Sequence, residues 1–105
     1  MVDVWFTGVP DELAQLLVDA RACAETCEAY LAVDPDALHI LAAPVAVSQV
    51  LVELIDHPPE IVLAAVRLCR ELAAAAAAAL DAEPDVAAAL RRVAASASAL
   101  LEAAG

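Results

Sequence analysis

Proline punctuates this chain. Pro10, Pro35, the pair Pro58 and Pro59, and Pro84 recur at roughly two-dozen-residue intervals. A proline in the first turn of a helix costs nothing, because the N–H it lacks has no intrahelical partner there. Acidic residues gather at the same places: Asp11 and Glu12, Asp34 and Asp36, Asp56 and Glu60, Glu83 and Asp85. Negative charge complements the positive end of a helix dipole. Between these marks the chain is dominated by alanine, the strongest helix former, and contains only two glycines. The pattern predicts an all-α fold with helices at about 10–32, 35–56, 59–80 and 84–103, within a single domain spanning 1–105. Similar lengths and short connections favour an antiparallel up-down-up-down four-helix bundle. Pro44 falls inside helix 2 and predicts a kink there.

Residues 1–9 form an N-terminal arm with Trp5 and Phe6, two of the chain's three aromatics. The arm is expected to pack over one open end of the bundle; docking of a partner is the alternative.

Three helices show an inward seam at three- and four-residue steps. In helix 1 it is Leu13, Leu16/Leu17, Ala20, Cys23/Ala24, Cys27 and Tyr30/Leu31. In helix 3 it is Val62, Ala65/Val66, Cys69, Leu72/Ala73, Ala76 and Leu80. In helix 4 it is Val86, Ala89/Leu90, Val93, Ala97 and Leu100/Leu101. Helix 2 differs. Leu38, Ile40, Leu41, Val45, Val47, Val50, Leu51, Val52, Leu54 and Ile55 spread round most of its circumference. A helix apolar nearly all round asks to be buried on more than one side, so a homo-oligomer covering the outer face of helix 2 is expected. The alanine run from Ala73 to Ala79 suits close helix approach and offers a second contact surface.

Composition excludes several functions. The net charge is −11, with no lysine and five arginines, and such a surface repels nucleic acid and anionic lipid. No Gly-rich loop is present to cradle a phosphate. Of the most apolar stretches, 61–80 is interrupted by Arg67, Arg70 and Glu71, and 38–54 contains Pro44, Ser48 and Gln49. Charges are costly at a bilayer centre, so no membrane span is expected. The first ten residues lack a basic n-region and carry Asp3, unlike a secretory signal. The expectation is a cytoplasmic protein with reduced thiols.

The stretch Ala22-Cys23-Ala24-Glu25-Thr26-Cys27-Glu28-Ala29, followed by the turn Val33-Asp34-Pro35, resembles the first cysteine-bearing helix and hairpin of the bacterial four-helix-bundle copper storage proteins. Cys69 falls where that family carries a cysteine in its third long helix, and the likeness covers about residues 14–102. It implies a bundle whose cysteines point inward to hold Cu(I). At other slots where the family pattern calls for cysteine, this chain has Tyr30, Ala65, Leu72, Ala76, Val86, Ala89, Val93, Ser96 and Leu100. A cysteine-depleted, low-capacity member is implied.

The three thiols define the candidate chemistry. Cu(I) takes two or three soft thiolates, and an i, i+4 pair on one helix face can chelate it. Helices 1 and 3 run the same way, which sets Cys23 and Cys69 in one layer to within roughly 3 Å, with Cys27 about 6 Å further along. His39 lies level with Cys27 and is the further candidate ligand, although it shares its side of helix 2 with Gln49, Glu53 and Asp56. Buried cysteines also serve as plain core residues, His39 and His57 as surface and connector residues, and Tyr30 as core packing. Three functions stay open. The first is Cu(I) or soft-metal binding by Cys23, Cys27 and Cys69. The second is a metal-free oligomeric bundle that binds a partner or a small ligand in its core. The third is a small biosynthetic enzyme built on Cys27, His39 and Tyr30.

Overall fold

The computed structural model describes residues 10–54 and 56–104; the Trp5/Phe6 arm and Ile55 lie outside them. It contains α1 (Pro10–Val33), a 3-10 turn (Pro35–Ala37), α2 (Leu38–Leu54), α3 (Pro59–Ala79) and α4 (Pro84–Ala104), with no strand among the described residues. The fold is the all-α four-helix bundle read from the sequence. Each helix packs on its two neighbours in chain order, α1 closing the ring against α4, while the diagonal pairs barely touch. The connections are too short for anything but antiparallel neighbours. The result is a rod of 43 × 21 × 17 Å.

The helix ends follow the proline punctuation. Pro59 and Pro84 each open a helix. Pro58 caps α3 with φ −56° and ψ 148°, the extended setting favoured before a proline. Helix 2 starts later than its sequence suggests, because Pro35–Ala37 winds as a 3-10 turn, with the Ala37 amide donating to Asp34 O at 3.2 Å. α3 closes when the Leu80 amide donates to Ala76 O at 2.9 Å, and the Glu83 amide then bonds Leu80 O at 2.9 Å. The Arg91 guanidinium reaches back to Asp81 in this turn at 2.6 Å, although both side chains are largely exposed. No described residue needs a positive φ.

The core is aliphatic. Leu16, Leu41, Leu51, Val62, Val66, Leu90, Val93 and Leu100 are fully buried, each contributing about 1.5–3 kcal/mol relative to an exposed position. The seams of α1, α3 and α4 are those the spacing predicts, and the alanine run divides into a buried side (Ala73, Ala76, Ala77) and an exposed remainder.

Helix 2 carries apolar residues on its buried seam, its flanks and its exposed side. Its inward seam is Leu41, Pro44, Ser48 and Leu51. Ile40, Val45 and Val47 are half-buried flanks of the core. Outside stand His39, Ala42, Ala43, Ala46, Gln49 and Glu53. Among the described residues Leu38, Val50 and Val52 join the alanines as apolar side chains on this exposed side. α2 runs through Pro44 as one helix; the proline removes the amide that the Ile40 carbonyl would otherwise accept. Pro35–Leu54 is long and apolar enough to cross a membrane by length and composition alone, and its core seam gives that apolarity a second use.

Candidate functional site

Cys23 and Cys27 lie one turn apart on the α1 seam because a four-residue step returns to the same helix face. Both are buried, Cys27 completely, and their sulfurs stand 3.8 Å apart. Cys69 reaches the core from α3 and is equally buried; all three are free thiols. The pair behaves as one titrating unit. Cys23 is pushed strongly upward, first by its hydrogen bond to Cys27, then by burial and by the negative charge of Cys27 and Cys69. Cys27 is lowered because it accepts that bond, against the opposing effect of burial. Burial pushes the Cys69 thiol up, with a hydrogen bond from Ser48 acting the other way.

The separation has a chemical meaning. Two metal–sulfur bonds of about 2.3 Å meeting at a tetrahedral angle span roughly 3.8 Å. Cys23 and Cys27 stand at that tetrahedral spacing, and ligation by the pair alone, with the two bonds nearer a straight line, would require the sulfurs to part toward about 4.6 Å. The remaining candidates are not assembled with them. Among the described residues no group of three or more His, Cys, Asp or Glu is close enough to hold a metal. The shared layer of Cys23 and Cys69 inferred from helix heights thus does not make a three-thiolate cluster as the core is packed. His39 is exposed, as its neighbours Gln49 and Glu53 suggest, and its Nδ1 lies 2.5 Å from Asp36 O. His57 is exposed in the α2–α3 connection.

Tyr30 also has its own partner. It is half-buried near the end of α1, and its hydroxyl donates to Asp34 Oδ2 at 3.0 Å. Burial, that bond and the nearby Glu83 carboxylate push the phenol up. Cys27, His39 and Tyr30 are therefore engaged with different groups, and the buried Cys27 offers no open face to a substrate.

The other slots at which the resemblance expects cysteine all point inward or sideways. Ala76, Val86, Ala89, Val93 and Leu100 are buried, and Tyr30, Ala65, Leu72 and Ser96 are half-buried. Each supplies a carbon or oxygen surface where a thiol would add a soft ligand.

Two polar features escaped the sequence reading. Ser48 is 6% exposed and sits on the α2 seam beside Cys69. Its place four residues after Pro44 and three before Leu51 is the signal that marks it as inward. Ser96 of α4 donates to the carboxylate of Asp19 on α1, which also accepts from Gln15 Nε2 at 3.1 Å. Asp19 thus lies at a helix seam rather than on a free outer face. Between α1 and α2 runs a groove of about 450 Å³, walled by Leu17, Val18, Ala20, Ala24 and Val52 and floored in part by Ser48.

No protein-family model, curated protein or solved structure matches this chain.

Proposed function

We propose that this protein binds a soft, thiophilic metal ion of the Cu(I) type at low stoichiometry, with Cys23 and Cys27 as its ligands. The observation that carries the reading is the buried sulfur pair 3.8 Å apart. Soft thiolates select Cu(I) over harder ions, and the lowered Cys27 thiol supplies the first thiolate readily. The resemblance to copper storage proteins supports the same chemistry in a cysteine-depleted form. Cys69 serves as a third ligand only if the core shifts on binding; His39 is too engaged elsewhere to be counted. A reducing cytoplasm suits three free thiols. Anaerobic Cu(I) titration against a competing chelator tests the reading, with about one tightly held ion per chain expected. Binding should disappear in the Cys23→Ala/Cys27→Ala double variant. Unchanged copper binding in that variant overturns the reading.

A second reading rests on the groove between α1 and α2. Its volume, about 450 Å³, and its apolar walls suit a small ligand, and Leu38, Val50 and Val52 offer a second copy a modest apolar surface. On this reading the bundle folds and acts without metal. Native mass measurement separates assembly from ligand binding, and a lone chain carrying nothing counts against both.

A further inference from the structure

Residues 1–9 precede α1 and carry Trp5, the chain's single tryptophan, with Phe6 beside it. The groove between α1 and α2 lies within their reach. Its walls hold Val18 and Val52, 63% and 53% exposed, beside the half-buried Leu17, with Arg21 at the rim. Large apolar side chains open to water on both walls of one cleft mark a surface that suits an apolar occupant. The distances match. Trp5 stands five residues before Pro10, about 17 Å of extended chain, and a reversal at Gly8 takes up one or two of those residues. Measured the other way, Val18 is about 12 Å and Arg21 about 17 Å along α1 from Pro10. A chain that turns back at Gly8 therefore brings Trp5 level with the stretch from Val18 to Arg21, at the nearer end of the groove. A second cleft, between α1 and α4, is lined by Asp11, Glu12, Gln15 and Ser96 beside two alanines, which gives aromatic rings little to pack on.

We propose that the Trp5/Phe6 arm turns back along α1 and seats its aromatic side chains in the α1–α2 groove of its own chain, against Val18 and Val52. Tryptophan and phenylalanine bury roughly 150–250 Å² each, and residues 4–9 bring no charge to a rim that holds Glu25 and Glu28. The Arg21 guanidinium suits the face of an indole ring. A tether of a few residues gives the arm an effective concentration on the order of millimolar, which favours its own groove over that of a second copy. The side of the bundle, rather than its open end, then receives the arm, and a small ligand enters the groove only by displacing it. The soft-metal reading is independent of this, since none of the three cysteines lines the groove.

Because Trp5 is the single tryptophan, its fluorescence reports the arm alone. In the metal-free chain its emission should lie to the blue of that in urea-unfolded chain and be protected from acrylamide, equally at low and high protein concentration. Val18→Glu and Val52→Glu, both at exposed positions, should shift the emission to the red and remove the protection while circular dichroism stays native. Leu68→Glu, the same kind of change at an exposed position on α3, should leave Trp5 as it was. Nuclear Overhauser contacts from the indole ring to the Val18 and Val52 methyls are expected in the unaltered chain. Their absence, or a Trp5 as open to acrylamide in the native chain as in the unfolded one, overturns the proposal. Protection that survives both groove variants does the same, since it puts the arm elsewhere on the bundle. Protection lost on dilution overturns it as well, by giving the groove to the arm of a second copy.

Discussion

The Cys23 and Cys27 sulfurs stand 3.8 Å apart on one face of α1, a contact that pushes the Cys23 thiol up, together with burial, and lowers the Cys27 thiol. A metal ion entering this pair must displace the proton that Cys23 keeps. Affinity should therefore rise with pH. Above the lowered titration of Cys27 one proton leaves per ion bound; below it, two leave. Plotting log affinity against pH at constant chelator competition should show the slope steepening toward acid. A slope near zero across the range would mean that the cysteines are not the ligands.

Cys69 yields a stability prediction in the alkaline range. Burial raises its thiol above the ordinary 9.0, so the unfolded chain loses this proton before the folded chain does. Its contribution is full below about pH 9 and declines as pH climbs through the folded value. Urea unfolding at pH 7, 9 and 10 should show metal-free protein losing stability with each step. Cys69→Val should lose less, because it removes one of the raised thiols; an identical decline in the variant counts against this account.

The bond from Ser96 to Asp19 fastens α4 to α1 at a half-buried seam. Hydrogen bonds to a charged acceptor contribute about 1.5–3 kcal/mol when well shielded, and partial exposure reduces that. Ser96→Ala should cost about 1–2 kcal/mol. A double-mutant cycle with Asp19→Ala should return a coupling of roughly 1 kcal/mol, measured by denaturant unfolding. A coupling near zero would show that the fastening contributes nothing.

Leucines on opposite sides of the wall should behave oppositely. Leu90 is fully buried and Leu68 is 50% exposed. Leu90→Ala should cost about 2–5 kcal/mol through lost burial and the cavity left behind, whereas Leu68→Ala should stay within about 0.5 kcal/mol. Thermal unfolding of the two variants side by side checks this directly.

Most of the architecture was legible because polar and apolar residues alternate with contrast in α1, α3 and α4. Arg67, Glu71, Arg91 and Arg92 mark the wet side, so Val66, Cys69, Leu90 and Val93 had to face in. Helix 2 lacks that contrast. Nearly every position is apolar or small, and the two residues that look least like core, Pro44 and Ser48, sit on its buried seam. Periodicity has no amplitude when both faces read alike, which is why spacing alone did not single out its buried side. The thiol pair was legible from its four-residue step. The relation of Cys69 to it was not, since helix heights give a layer but no lateral distance. His39 followed its polar neighbours to the surface, and the Asp19–Ser96 bond joins residues too far apart in sequence for any local pattern to pair them.

The inward alanines at slots such as Ala76 and Ala89 have a consequence for how this rod can change. Replacing alanine by cysteine adds a single sulfur, an insertion about the size of a methylene, which in a packed core costs about 1–3 kcal/mol. New thiols can thus be introduced one at a time against a surface already shielded from water, each reversible and none requiring the helices to be redrawn. The number of thiols such a rod encloses is then decided by a few side chains, while its length, turns and handedness stay as they are.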